Sequence, residues 1–146
     1  MIILLGLNFT LISNSEEKRN PFAMQVEHER YRTDLINAIK DNYVVLVTAR
    51  SMRYMDATLK SIERKTQWQP DEWFFNTGLT PPLFCESILI DHIYPEHGAE
   101  VELLAIENNP KVRAMYSRYG IRSMTYINYM MLYRAQRNEK KEKKDV

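Results

Sequence analysis

Five short apolar runs alternate with longer stretches of helical periodicity along this chain of 146 residues. The runs span residues 2–7, 43–48, 72–76, 101–106 and 121–127. Such alternation is typical of parallel strands joined by right-handed helical crossovers. Residues 44–47 form an unbroken, β-branched-rich block (VVLV), which indicates a strand buried on both faces. The pattern predicts one α/β domain built round a doubly wound parallel sheet.

Helical spacing of apolar residues predicts the connections between these runs. The spacing of three or four positions recurs within residues 31–39, 52–62, 84–93 and 112–119. Pro110 suits the first turn of the last of these helices, with Asn109 as its cap and Gly120 as its stop. Residues 13–29 are polar and weakly periodic, so we expect a loop or a short excursion over the sheet.

The chain ends in a helix-prone segment with a charged terminus, RNEKKEKKDV. This terminus suits either a solvated or disordered tail or a basic arm that binds nucleic acid. Glu139, Glu142 and Asp145 interrupt the basic run, and the interruption favours the tail. We therefore expect an α/β domain over residues 1–127, followed by a C-terminal helix and charged tail over residues 128–146.

Composition excludes several classes of protein. The formal net charge of +1 gives no global attraction to nucleic acid or to anionic membranes. The first apolar run is too short to span a bilayer and lacks the flanks of a signal peptide. Cys85 is the only cysteine and cannot form an internal disulfide, which predicts a reducing, cytoplasmic compartment. We expect this thiol to be a small buried hydrophobe, because nothing near it in sequence lowers its pKa.

Polar residues stand where three of the predicted strands end. The segments are GLNFT at residues 6–10, TAR at residues 48–50 and ENNP at residues 107–110. Ligands of open α/β sheets bind at the carboxyl ends of the strands. If the first strand lies between the second and the fourth, all three segments converge on one crevice. The first segment nevertheless holds no side chain suited to acid, base or nucleophilic chemistry.

These segments resemble the motifs of the haloacid dehalogenase superfamily of phosphotransferases. The family's first motif is a hydrophobic strand followed by Asp-x-Asp-Gly-Thr-Leu, and LLGLNFTL matches it here. Its second motif, a strand ending in Ser or Thr, is matched by VVLVTAR. Its helical lysine and its strand ending in an acidic pair are matched within FCESILIDHIYPEHGAEVELLAIENNPKVRAMYSRYGI. Order and spacing are most similar to the 3′-phosphatase domains of bacteriophage polynucleotide kinases, over about residues 1–127.

The resemblance implies details of the fold that the apolar runs leave open. It implies the strand order fifth, fourth, first, second, third, with helices on both faces and little or no cap domain. It also suggests a phage or bacterial origin, with the host cytoplasm as the location of a phage-encoded protein.

Uncharged residues stand at three of the family's catalytic positions. Gly6 matches the nucleophilic aspartate but has no side chain to phosphorylate. Asn8 matches the aspartate that acts as general acid and base, and an amide cannot exchange protons near neutral pH. Cys85 matches the lysine that offsets the charge of the phosphate. The resemblance therefore implies a site with no catalytic residues.

The metal-binding acidic pair of the family is matched by Glu107 and Asn108, which keep one carboxylate. Mg²⁺ prefers hard oxygen ligands that include one or two carboxylates, so Glu107 is a weak candidate ligand. We expect Mg²⁺ to bind weakly or not at all, and we expect no other cofactor. Thr48 keeps the family's hydroxyl donor, and Asn8, Thr48 and Arg50 form the expected anion-binding set.

Changes in three of the four motifs predict a catalytically inactive phosphatase-fold protein that acts as a binding or regulatory module. We expect a protein partner, with a nucleotide or a nucleic-acid end as alternatives, and no membrane association. A second hypothesis is a metal-dependent phosphohydrolase that acts on nucleotides or nucleic-acid 3′ ends, with Glu107 and a metal-bound water as atypical machinery. A third is a structural protein whose crevice is closed.

Overall fold

Five parallel strands form the centre of the fold in a computed structural model that describes residues 1–145. The strands are β1 (Ile2–Leu5), β2 (Tyr43–Ser51), β3 (Glu72–Asn76), β4 (Leu103–Ile106) and β5 (Arg122–Met124). They pair in the order β3-β2-β1-β4-β5. The predicted order, with the first run at the centre of an all-parallel sheet, is confirmed.

Helices connect successive strands, and a final helix follows β5. They are α1 (Phe22–His28), α2 (Thr33–Ile39), α3 (Met55–Thr66), α4 (Pro81–Ile88), α5 (Tyr94–His97), α6 (Pro110–Arg118) and α7 (Tyr126–Asp145). A π-helical turn over Leu89–Ile93 joins α4 to α5, and a 3₁₀ turn over Met52–Tyr54 precedes α3. Asn109 caps α6 by accepting a hydrogen bond from the Lys111 amide at 2.9 Å, as the sequence predicts.

The helices cover both faces of the sheet, as predicted. Successive side chains of a strand point to opposite faces, and β1 is buried along its whole length. Ile3 and Leu5 pack with residues of α2, α3 and α7 in one hydrophobic cluster. Ile2 and Leu4 pack with residues of α4 and α6 in the other. The centre of the sheet is therefore shielded from water on both sides.

Several element boundaries differ from the prediction. β1 ends at Leu5 because the chain enters a tight turn over Leu7–Leu11, directly after the extended Gly6. The expected fifth strand, residues 121–127, is shortened to Arg122–Met124 because α7 already begins at Tyr126. The polar segment 13–29 contains α1, which buries only Gln25 and Val26 and so leaves a weak periodic signal.

The C-terminal segment is one long helix within the described residues. Tyr129 and Met130 are buried in the core, whereas residues 134–144 are exposed to solvent. The expected solvated tail is thus exposed and helical, and its last residue, Val146, lies outside the described residues. Among residues 1–145, no helix combines the length and the apolar character that crossing a membrane requires.

Candidate functional site

A tight turn after β1 shapes the carboxyl edge of the sheet. Asn8 has an extended backbone. Phe9 adopts a positive φ of 58°, a backbone conformation that residues other than glycine rarely take. The Phe9 amide donates a hydrogen bond to Ser15 Oγ at 2.7 Å, and the Ile12 amide donates to the Leu7 carbonyl at 3.0 Å. These bonds hold the turn so that the side chains of Asn8 and Phe9 face outward.

Three strand ends and the start of α4 enclose a crevice of about 330 Å³ at this edge. Five of the residues singled out in the sequence line it: Asn8, Thr48, Cys85, Glu107 and Asn108. Gly6 lies beneath Glu107, whereas Arg50 lines a neighbouring pocket. The volume suits a small ligand or the end of a larger one.

The Glu107 carboxyl group occupies the space directly above Gly6. A Cβ atom placed on Gly6 would lie 2.5 Å from Glu107 Oε2 and 3.1 Å from its Cδ. Both distances are shorter than ordinary van der Waals contact. Glu107 Oε1 accepts a hydrogen bond from the Asn109 amide at 3.0 Å, which holds the carboxyl group in place. A side chain at position 6 therefore fits only if Glu107 moves.

Burial raises the pKa values of two ionisable side chains in the crevice, Glu107 and Cys85. It raises the pKa of Glu107, although the amides of Asn108 and Asn109 and the charge of Arg113 oppose the rise. Burial, together with the nearby charge of Glu107, raises the pKa of the Cys85 thiol to about 12. The thiol is therefore protonated at neutral pH, and a protonated thiol is a poor nucleophile.

Thr48 and Asn8 offer the crevice hydrogen-bond donors. Thr48 Oγ1 accepts the Arg50 amide at 3.0 Å, so its hydroxyl proton is left to donate elsewhere. Asn8 Oδ1 accepts a bond from Arg50 Nη2 at 3.1 Å, which leaves the amide NH₂ group for a ligand. Both groups suit an acceptor such as a phosphate or sulfate oxygen.

Arg50 is held in a buried ion pair with Glu29. Its Nη1 and Nη2 atoms donate to the two carboxylate oxygens at 2.9 and 2.5 Å, and Nη1 also donates to Thr58 Oγ1 at 3.0 Å. The side chains are only 4% and 1% exposed. Glu29 thus balances the positive charge of Arg50, which reaches the crevice only through Asn8. Sequence analysis missed Glu29, which stands 21 positions before Arg50 in a polar segment without a distinguishing motif.

A second group of ionisable side chains lies at the opposite edge of the sheet. Glu72, Glu96 and His97 place their ligating atoms close together. Glu72 Oε1 contacts His97 Nε2 at 2.7 Å and accepts a hydrogen bond from the Tyr43 hydroxyl at 2.8 Å. These contacts explain the cluster as a hydrogen-bond network between the starts of β2 and β3 and the end of α5. It is separate from the crevice.

Comparisons with known proteins identify a similar fold. No protein-family model matches the chain, and no curated protein sequence matches it significantly. A chain in the structure of the Pnkp1/Rnl/Hen1 RNA repair complex superposes with a TM-score of 0.66 at 15% sequence identity. The match covers 84% of this chain and 41% of that chain, so this protein spans less than half of the other's length. At this level of identity the likeness shows a shared fold and nothing more.

Proposed function

We propose that this protein is a catalytically inactive phosphatase-fold module that works by binding a ligand or a partner. The arrangement of Gly6 and Glu107 carries the proposal. A covalent phosphatase of this fold needs a carboxylate on the residue at the end of the central strand, and Gly6 has no side chain. The carboxyl group of Glu107 fills the adjacent space. Asn8 cannot act as the general acid and base, because an amide does not exchange protons near neutral pH. A crevice of about 330 Å³ nevertheless remains at this edge of the sheet.

The lining of the crevice supports a weak anion site. Thr48 and Asn8 supply donors, and the α6 N-terminus lies at the rim through Asn109 and Pro110. Glu107 is the only carboxylate in this lining, so an incoming anion meets less repulsion than a cluster of aspartates would give. The same lack of carboxylates argues against strong Mg²⁺ binding.

Exposed apolar side chains around the same edge support a protein partner. Phe9, Met52, Leu79 and Leu83 all follow the carboxyl ends of strands and are 44–56% exposed. Aromatic residues and methionine are enriched at protein interfaces. The related fold in the Pnkp1/Rnl/Hen1 complex also occurs within an assembly. We propose that a protein docks on this rim, with a nucleotide or a nucleic-acid end as the alternative occupant of the crevice.

Sulfate is expected to bind the native protein weakly in the absence of Mg²⁺. Calorimetric titration with and without Mg²⁺ measures this binding. Thr48→Val should abolish it, since valine keeps the shape of threonine but removes the hydroxyl donor.

Glu107→Gln should strengthen sulfate binding, because the substitution removes the only negative charge of the lining. Binding to the native protein should also strengthen as the pH falls through the raised pKa of Glu107, and this dependence should vanish in Glu107→Gln.

Two outcomes would contradict the binding proposal. Tight binding of Mg²⁺ alone would overturn the electrostatic argument. Equal sulfate binding by the native protein and by Thr48→Val would place the anion outside the crevice.

One observation favours a metal-dependent phosphohydrolase as a second candidate. Glu107 lies in the crevice with a raised pKa, and a carboxyl group of this kind is suited to general-base catalysis. In such an enzyme Glu107 would accept a proton from an attacking water molecule, and no covalent intermediate would form on position 6. Turnover that depends on Glu107 separates this candidate from the inactive module.

A further inference from the structure

The exposed half of α7 carries its positive charges on one side. An α-helix turns by about 100° per residue. Five basic residues therefore project within an arc of about 120°, namely Arg134, Arg137, Lys140, Lys141 and Lys144. They line one continuous surface groove. Glu139 and Glu142 fall outside this arc by roughly 80° or more. The five residues are called the basic face below.

Helix formation thus separates the two glutamates from the basic residues that alternate with them in the sequence, whereas position 145, the last of α7, stays within about 20° of the arc. Along the chain the glutamates interrupt the basic run, which argues against a polyanion-binding segment. On the helix surface the glutamates point elsewhere, and the five cations follow one another over ten positions, or about 15 Å. The net charge of +1 hides this local concentration.

Local contacts order the first turn of the basic face but leave its charge exposed. Arg134 pairs with Asp34 at 3.6 Å, with both side chains open to solvent, and exposed pairs of this kind are weak. The Arg137 guanidinium lies over the ring of Tyr133 at 5.7 Å. Among the side chains that the structure describes, no carboxylate pairs with Lys140, Lys141 or Lys144.

We propose that the basic face binds the phosphate backbone of a nucleic acid. Duplex DNA carries one charge per roughly 1.7 Å of axis, so about 15 Å of backbone offers more phosphates than the five cations need. A helix that lies on a membrane needs a large apolar face beside its charges. Residues 134–144 contain no apolar side chain larger than Ala135, which favours nucleic acid over a lipid surface.

The basic face is remote from the crevice, so this proposal does not depend on the proposed function. α7 begins after the carboxyl end of β5 and runs back across the sheet. Lys140 shares a groove with Met1 and Glu102, which lie at the amino edge. The crevice lies at the carboxyl edge. Loss of one activity is therefore not expected to affect the other.

A charge-swap variant of the full chain tests the proposal. Glu139→Lys, Lys140→Glu, Lys141→Glu and Glu142→Lys together keep composition and net charge but move two cations off the face and two carboxylates onto it. Binding to dye-labelled single-stranded RNA, single-stranded DNA and duplex DNA is measured by fluorescence anisotropy between about 50 and 200 mM salt. We expect the swap to weaken binding by about tenfold or more. The slope of log K against log[salt] for single strands should become shallower by about 1.4.

Two double variants, each of which removes one pair of positive charges, control for folding and for total charge. Arg137→Gln with Lys141→Gln removes two charges from the basic face, whereas Lys60→Gln with Lys143→Gln removes two exposed charges outside it. Only the first pair should weaken binding, and circular dichroism checks that helix content is unchanged. Equal effects of the two pairs, or native-like binding by the charge-swap variant, would overturn the proposal. Binding of the native protein to phosphatidylserine vesicles but to no nucleic acid would overturn it as well.

Discussion

Replacing Glu29 with glutamine is expected to lower the free energy of unfolding by about 3–5 kcal/mol, the usual cost of breaking a buried ion pair from one side. The substitution leaves the Arg50 guanidinium buried at 4% exposure without a balancing charge. Its Nε atom already lacks a hydrogen-bond partner among the described residues, so nothing nearby replaces the lost carboxylate. Denaturant unfolding of Glu29→Gln and of the native protein measures the difference.

Glu27 provides a matched control two positions away on the same segment. It pairs with Arg64 at 3.0 Å, but both side chains are more than half exposed. Exposed pairs of this kind contribute about 0–1 kcal/mol, so Glu27→Gln should change stability little. Similar losses in the two variants would contradict this expectation, because they would show that the buried Arg50–Glu29 pair stabilises the fold no more than an exposed pair does.

Gly6→Ala is expected to destabilise the protein by about 1–3 kcal/mol, the usual cost of overpacking a tightly packed site. The backbone at Gly6 has φ −77° and ψ 158°, which alanine adopts without strain. The cost therefore comes from the overlap between the new methyl group and the Glu107 carboxyl group. In the Glu107→Ala background, the same substitution should cost little, because the space is then empty.

A double-mutant cycle isolates this coupling. An equal cost of Gly6→Ala in both backgrounds would mean that Glu107 does not occupy the space above Gly6 in solution. The result would remove the main support for the inactive-module proposal while leaving the fold unchanged.

The architecture could be predicted from the sequence because the strands are short, apolar and regularly spaced. The buried block at residues 44–47 and the helical patterns between the runs define an α/β sheet, and the family resemblance supplies the strand order. The boundaries near Gly6 and Tyr126 were harder to predict, since turn geometry and helix initiation decide them locally. α1 was missed because it buries too few residues to produce a periodic signal.

The sequence predicts most of the residues that line the crevice, but it does not predict that Arg50 lies in a neighbouring pocket and pairs with Glu29. The strand ends place Asn8, Thr48 and Glu107 together, as the topology requires. Pairing of Arg50 with Glu29 depends on the path of a polar segment that no local pattern specifies. The basic face of α7 was also hard to predict from the sequence. Charges that alternate along an extended tail lie on different sides of a helix, and the sequence did not show that the tail is helical.

Release of inorganic phosphate from a 3′-phosphorylated oligonucleotide, with Mg²⁺ or Mn²⁺, tests the central claim most directly. A known phosphatase serves as the positive control for the substrate. The native protein and Glu107→Ala are both expected to release phosphate no faster than buffer, because Gly6 cannot form an acyl-phosphate and Asn8 cannot transfer a proton. Metal-dependent release that persists through purification and disappears in Glu107→Ala would contradict the claim and would identify Glu107 as the catalytic residue of a phosphohydrolase.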